Sequence, residues 1–349
     1  MRAAHRISLA ILGSVLAVAG TLALAAASAR ADDAKLEAAA KAEGELTWYV
    51  SQVNGETAQA AGSAFTQLHP GIKVNVVRIT TQVAYQRVRQ ELLHDALVCD
   101  VLSTTDVAQY LALKKKQQIA KVAPPNAAGL SKPFQNFDPD GYYYPTYAGE
   151  VVIAYNTQKV KPAEAPKNWP DLLDPKWKSK VALGDPGFSG YAGNWVVLMR
   201  KLYGWKYFET LKGNDPLITR SIIDTVTYLN SGERWVAVSP SASVLESIDK
   251  GNPLAIVYPT DGAILMIAPS AVLAKAPHPN AARLFLDFLL SADYAKIAVK
   301  SRGEALRPDV PSLPGVKTVN EIKTIRATVQ ESVDGIPKAI EDWRDTFGG

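Results

Sequence analysis

Along the first third of the chain, short apolar runs alternate with stretches of helical period. "LTWYVS" (46–51) reads as a buried strand, and "GETAQAAGSAFTQLHPG" (55–71) as a helix stopped by Pro70 and Gly71. "IKVNVVRI" (72–79) is the next strand. The helix after it, "TQVAYQRVRQELLHD", puts Tyr85, Val88 and Leu92 on one face. "CDVLST" (99–104) is a third strand, and "DVAQYLAL" opens another helix. Such alternation predicts a parallel sheet covered on both faces.

Beyond a Pro- and Gly-rich loop at 123–141, "GEVVIAYN" (149–156) and "VALGDP" read as strands, and "GYAGNWVVLMRKLYG" as a helix. A second α/β set follows: "RWVAVSP" (234–240), a helix at "ASVLESIDKG", "LAIVYP" (254–259) and a strand region "ILMIAPSAVL" (264–273). "NAARLFLDFLLS" is the clearest helix, with Ala281, Leu284, Phe285, Phe288 and Leu289 on one face and Pro279 suited to its first position. The tail, 316–347, reads as helical and polar.

In doubly wound sheets, ligands sit at the carboxyl ends of the strands. The residues there are Ser51, Gln52 and Asn54; Thr104, Thr105 and Asp106; Ser189, Gly190 and Tyr191; Ser239 and Ser241; and Asp261 and Gly262. Nearly all are small or hydroxylic, a lining suited to hydrogen bonding. "GDPGFSGYAGNW" (184–195) sets Gly, Pro and Ser between a strand and a helix. That layout lets a group approach the main chain and meet the unpaired amides of a helix start. An ordinary N-cap also favours Ser and Gly, and both readings stay open on this stretch alone.

The first 31 residues combine Arg2, His5 and Arg6 with an apolar run and "SARA", the pattern of a cleavable export signal. Without Arg2, Arg6 and Arg30, the 38 basic residues fall to 35 against 34 acidic ones, so no nucleic-acid footprint is expected. A chain of this length exceeds one comfortable core and predicts two lobes. Cys99 is the single cysteine, which excludes an intrachain disulfide and reads as a small buried strand residue.

Enzyme signatures fail on inspection. "GFSGY" misses the nucleophile elbow G-x-S-x-G because Tyr191 stands at the last glycine. His69, His94 and His278 read as solvated or capping residues, no His or Cys pair has zinc-ligand spacing, and there is no phosphate loop. No catalytic residue, metal or cofactor is expected.

Four stretches in order carry a resemblance: "GEVVIAYNT", "WPDLLDPKWKSKVALGDPGFSGYA", "AIVYPTDGAILMIAPSAVL" and "PHPNAARLFLDFLLS". With the leader and "LTWYVS", they make the chain resemble the periplasmic solute-binding proteins of ABC importers, in the group of ferric-ion, sugar-phosphate and aminoethylphosphonate binders. The resemblance implies an α/β, type II periplasmic-binding-protein clamshell. Each lobe is a doubly wound sheet, and the chain crosses between lobes twice, near "VVIAYN" and "LAIVYP". It divides the chain into a signal peptide (1–31), lobe one (32–148), lobe two (149–259) and a return to lobe one with C-terminal helices (260–349).

It also implies a periplasmic monomer that captures a small anionic organic solute (phosphonate, organophosphate or carboxylate) and delivers it to a membrane permease and its ATPase. Ser189, Gly190 and Tyr191 would hold the anion from lobe two, with Ser239 and Ser241. Ser51, Asn54, Thr104 and Thr105 would close from lobe one, and Tyr147, Tyr258 and Asp261 would read the rest of the ligand. The iron binders of the group place two adjacent tyrosines where this chain has "VAVSPSAS" (236–243). Ser hydroxyls suit phosphonate or sugar oxygens better than Fe(III), so a ferric-iron binder is the alternative reading. A secreted serine hydrolase using Ser189 is the alternative from another class.

Overall fold

The apolar runs of the first third form strands and helices in the order that the pattern predicts. The computed structural model describes residues 33–314 and 316–348, so the leader read at 1–31 lies outside the described residues. A helix over 33–43 (α1) precedes β1 (Glu45–Val50), α2 (Gly55–Leu68), β2 (Lys73–Arg78), α3 (Thr81–Leu93), β3 (Val101–Ser103) and α4 (Val107–Lys115). β1 lies between β2 and β3, parallel to both, and every β1 residue after Glu45 is buried. Such apolar strands pack on helices at both faces.

The chain then enters a long strand, β4 (Tyr144–Asn156), buried at every position after its first. Next come β5 (Val181–Gly184), α5 (Gly190–Tyr203), α6 (Lys206–Lys212), β6 (Leu217–Thr219), α7 (Thr225–Asn230), β7 (Val236–Pro240), α8 (Ser241–Asp249) and β8 (Leu254–Val257). β9 (Ala263–Val272) leads into α9 (Pro279–Phe288), α10 (Ala292–Lys300), the short β10 (Thr324–Ile325) and α11 (Val329–Phe347). The strand order is β2-β1-β3-β9-β4-β7-β5-β6, with β10 on β9 and β8 on β4.

β4 and β9 therefore join two lobes. β9 pairs antiparallel with β3 through Ser270–Val272, and β4 with β7 through Val151–Tyr155. Between these ends β4 and β9 pair with each other from Tyr144–Ser270 to Val151–Ile264. The second crossing is thus β9 and not the expected "LAIVYP" segment. β8 occupies that segment and pairs only with Ile153–Asn156 at the end of β4. The physical reason is burial: a strand shared by two lobes is enclosed along its length, as β9 is at every position but Leu265, whereas three of the four β8 residues are partly exposed.

Each lobe has its own aromatic centre. Trp48, Phe65, Phe285 and Phe288 pack edge-on or stacked in lobe one; Trp169, Trp195, Phe208 and Trp343 do so in lobe two. Trp343 comes from α11, the polar-looking tail. Its buried face, Ile336, Ala339 and Trp343, lies on α5 and α6 and reaches α4 of lobe one, so the end of the chain straps lobe two rather than returning wholly to lobe one. Cys99 is buried, and desolvation pushes its thiol well above its ordinary value, as expected of an inert core residue. Among the described residues, no helix is long and apolar enough to cross a membrane.

Candidate functional site

The carboxyl ends of β1, β2 and β3 face the start of α5 across the junction of the lobes. Ser51, just after β1, hydrogen-bonds Thr81 Oγ1 at 2.7 Å, and Thr81 hydrogen-bonds Thr105 Oγ1 at 2.8 Å, which gives a row of three hydroxyls on lobe one. Opposite them, Ser189 caps α5. Its Oγ accepts from the Ala192 amide, while the first amides of the helix, at Gly190 and Tyr191, have no partner within it. Gly190 stands directly on Thr105, where a Cβ would meet Oγ1 at 2.6 Å and the carbonyl at 2.9 Å.

The same space holds a residue that the strand-end reading passed over. Arg78, the last residue of β2, lines a cavity of about 10 Å³ with Ser51, Thr80, Thr81, Thr105, Ser189, Tyr191 and Ser221. Its Nε donates to the Val53 carbonyl at 3.2 Å, and it forms no ion pair among the described residues. Desolvation lowers its pKa, and Asp224 and Tyr191 oppose that shift. A desolvated guanidinium among hydroxyls and helix-start amides is a receptor for a tetrahedral or planar oxyanion. The rule that nominated the other strand ends would have found Arg78 had it been applied to β2.

A second cavity, of about 20 Å³, adjoins the first through Tyr191 and Ile223. Gln52, Asn54, Thr57, Tyr147, Ser243, Glu246 and Ser301 line it. Each cavity has room for about one water, so an organic solute enters only if the lobes part. Several bonds hold the lobes together. The Gln82 amide donates to the Phe188 carbonyl at 3.1 Å, Tyr191 Oη donates to the Gln52 carbonyl at 3.3 Å, and Asn54 Nδ2 donates to Glu246 Oε2 at 2.6 Å. Arg302–Asp249, at 2.7 Å, closes the rim.

Ser51, Thr105, Ser189, Gly190 and Tyr191 thus come together around the first cavity, and Asn54 and Tyr147 line the second. Ser241 lies between lobe two and the crossing strand, where its Oγ donates to Glu150 Oε2 at 2.7 Å. Gly190 and Ser241 adjoin the cavities without lining them, and four further expected residues lie away from both. Thr104 turns inward to Gln109 Oε1 at 2.8 Å, because its strand-end neighbour Thr105 takes the cleft side. Ser239 pairs with Thr225 Oγ1 at 2.6 Å inside lobe two. Asp261 accepts from the Trp169 amide and Tyr203 Oη, at 3.0 and 2.5 Å, and so ties a surface turn to α5. Tyr258 is half-buried under the Lys317 ammonium, 5.4 Å from its ring centre. Strand-end position alone does not tell which of two adjacent side chains faces the groove.

The two cleft tyrosines are held neutral. Burial, reinforced by Glu150, raises the pKa of both Tyr147 and Tyr191. Neutral hydroxyl donors suit an oxyanion. Among the described residues, no group of three His, Cys, Asp or Glu side chains is placed to hold a metal ion. Ser189 Oγ accepts from the Ala192 amide, while His69 pairs with Glu37 at 2.7 Å and His278 with Asp100 at 2.9 Å.

A protein family described as bacterial extracellular solute-binding protein matches residues 98–322. A Salmonella typhimurium protein named "Putative 2-aminoethylphosphonate-binding periplasmic protein" is 24% identical over 281 residues, 77% of each chain. The chain spans about half the length of other curated relatives that it matches. Among solved structures, it is similar to the periplasmic binding protein AfuA of Actinobacillus pleuropneumoniae with fructose-6-phosphate bound. That likeness has a TM-score of 0.79 and 23% identity, and covers 87% of this chain and 98% of that one. It is also similar to iron-bound HitA of Pseudomonas aeruginosa, with a TM-score of 0.74, 23% identity, and 86% and 99% of the two chains covered. The likeness to these structures is one of fold: two α/β lobes joined by two crossing strands. With a family match over well over half its length, the chain belongs to the bacterial extracellular solute-binding proteins.

Proposed function

We propose that this protein is the solute-capturing component of an ABC importer in the periplasm. It closes on a small anionic organic solute, a phosphonate, organophosphate or carboxylate, and presents the closed form to a membrane permease and its ATPase. The observation that carries the reading is Arg78, a desolvated guanidinium with no ion pair among the described residues, facing the hydroxyls of Ser51, Thr81, Thr105 and Ser189. Ligand oxygens that bond to Arg78 from lobe one and to the α5 amides from lobe two favour the closed arrangement by their differential contacts. Relatives named for a phosphonate and crystallised with a sugar phosphate support the class of solute.

Thermal unfolding in the presence of methylphosphonate, glycerol phosphate, acetate and Fe(III) citrate tests this reading. A specific ligand raises apparent stability as RT ln(1 + [L]/Kd). A rise with a phosphonate or phosphate ester, absent in Arg78→Met, supports it. A rise with the ferric salt alone overturns it in favour of the iron alternative. Turnover of an ester that is lost in Ser189→Ala would instead establish a hydrolase.

A further inference from the structure

Three side chains spaced along one face of α8 reach lobe one, and each meets a partner there. We propose that this face is an electrostatic latch, which sets the balance between open and closed lobes before any solute arrives. Such a latch acts whatever solute the cleft captures, so it stands apart from the anion reading of Arg78.

Glu246, Asp249 and the C-cap Lys250 stand at i, i+3 and i+4, the spacing that brings side chains together on a helix. Their partners come from two helix ends of lobe one. Asn54 caps α2: its Oδ1 accepts from the Thr57 amide, and its Nδ2 donates to Glu246 Oε2 at 2.6 Å. Arg302 lies just past the end of α10 and donates from Nε and Nη2 to the two oxygens of Asp249, both at 2.7 Å. Lys250 Nζ lies 3.5 Å from Glu56 Oε2 in the first turn of α2. Thr57 Oγ1 donates to Ser301 Oγ at 2.8 Å, which joins the two helix ends into one receiving edge.

Arg302 is the centre of the latch. Its backbone is held by a bond from its amide to the Val299 carbonyl, at a φ of 63° that few residues other than glycine adopt. Its side chain is 19% exposed against 46% for Asp249. A two-pronged pair anchored at one end is the kind of exposed ion pair that contributes measurably, whereas Lys250–Glu56 is exposed at both ends and adds little alone. The joint made by α11 is different. α11 packs on α5 and α6 of lobe two and on α4 of lobe one, and Asn194 accepts from Ser332 of α11 while donating to the Thr105 carbonyl. Those three polar residues are buried, so salt does not screen them as it screens the solvated α8 edge. Because only closed lobes grip a solute from both sides, a latch that raises their population raises solute affinity in proportion.

Spin labels at Gln67→Cys in lobe one and Gln158→Cys in lobe two, both exposed, report the open-to-closed ratio of the unliganded protein; Cys99 is buried and stays unlabelled. Raising KCl from about 20 mM to about 0.5 M should raise that ratio several-fold. At the lower salt, Arg302→Asp and Asp249→Arg should each raise it roughly five- to tenfold, since an attractive pair becomes a like-charged one. The two substitutions together should return it to within about twofold of the parent protein. Should either single variant fail to fold, which melting curves report, Lys250→Glu with Glu56→Lys makes the same exchange at the neighbouring pair. A ratio flat in salt and unmoved by the single variants, or a double variant as open as they are, overturns the latch and leaves the solute reading standing.

Discussion

Gly190, the first residue of α5 in lobe two, lies against the backbone of Thr105 in lobe one, with 2.6 Å between a Cβ built on it and Thr105 Oγ1. The Asn194 side chain spans the same seam, donating to the Thr105 and Gly190 carbonyls at 3.4 and 2.9 Å. The glycine in "FSGY" is what allows the two backbones to lie this close. Within a helix Gly is about 1 kcal/mol less favourable than Ala.

Gly190→Ala should accordingly leave the melting temperature of the unliganded protein unchanged or raised. The same substitution should weaken solute binding at least about tenfold, since overpacking costs about 1–3 kcal/mol where the lobes meet. Titration and calorimetric melting on one sample check both halves. Undiminished affinity would show that the lobes do not close on this seam.

Arg78 is desolvated and forms no ion pair among the described residues, so Arg78→Met should keep or improve stability to urea while reducing phosphonate affinity roughly hundredfold, the weight of a charge-assisted bidentate contact. An equal loss of folding stability would assign the residue to the core instead.

Much of this was legible in the sequence. The period-2 and period-3.6 runs give the β1–α4 alternation, and Pro279 does begin α9. The segment 205–230 carried no readable signal, and it forms α6, β6 and α7, elements of three to seven residues that are too short for periodicity. The strand-end rule nominated Ser51, Thr105 and Ser189, which line the first cavity, and equally Thr104, Ser239 and Asp261, which line neither. The two hydroxyls and Asp261 Oδ2 are bonded away from the cleft, and only tertiary packing decides that. Arg78 and Glu150 fell inside segments read only as strands. Both owe their charge environment to a lobe that is remote in sequence.

Asp261 and Ser189 separate stability from affinity. Asp261→Asn should lower stability by about 1–3 kcal/mol through the Trp169 and Tyr203 contacts and leave solute affinity within about twofold. Ser189→Ala removes both a helix cap and a cleft hydroxyl, so it should cost about 1 kcal/mol of stability and about tenfold in affinity. Chemical denaturation paired with titration distinguishes the two patterns.

Closure should respond to pH through Glu246, whose pKa desolvation raises to about 7, with Lys250 and Asn54 opposing the shift. In separated lobes the group returns toward its ordinary 4.5. The closed form then binds the proton more tightly, so lowering the pH through 7 favours closure until both forms are protonated below about 4.5. Asp106, raised to about 6, and Glu304, raised to about 7, shift in the same direction. The radius of gyration of the unliganded protein should fall between pH 8 and pH 5, and less so in Glu246→Gln. A flat profile in the parent protein would contradict this coupling.

The central claim is that the interlobe arginine captures an oxyanion, and titration of the parent protein and Arg78→Met with one phosphonate at pH 7.5 tests it most directly. The account predicts saturable one-to-one binding by the parent protein and a loss of about two orders of magnitude in the variant. Equal affinities in the two proteins, or saturable binding of Fe(III) with none of any phosphonate, phosphate ester or carboxylate, would contradict it.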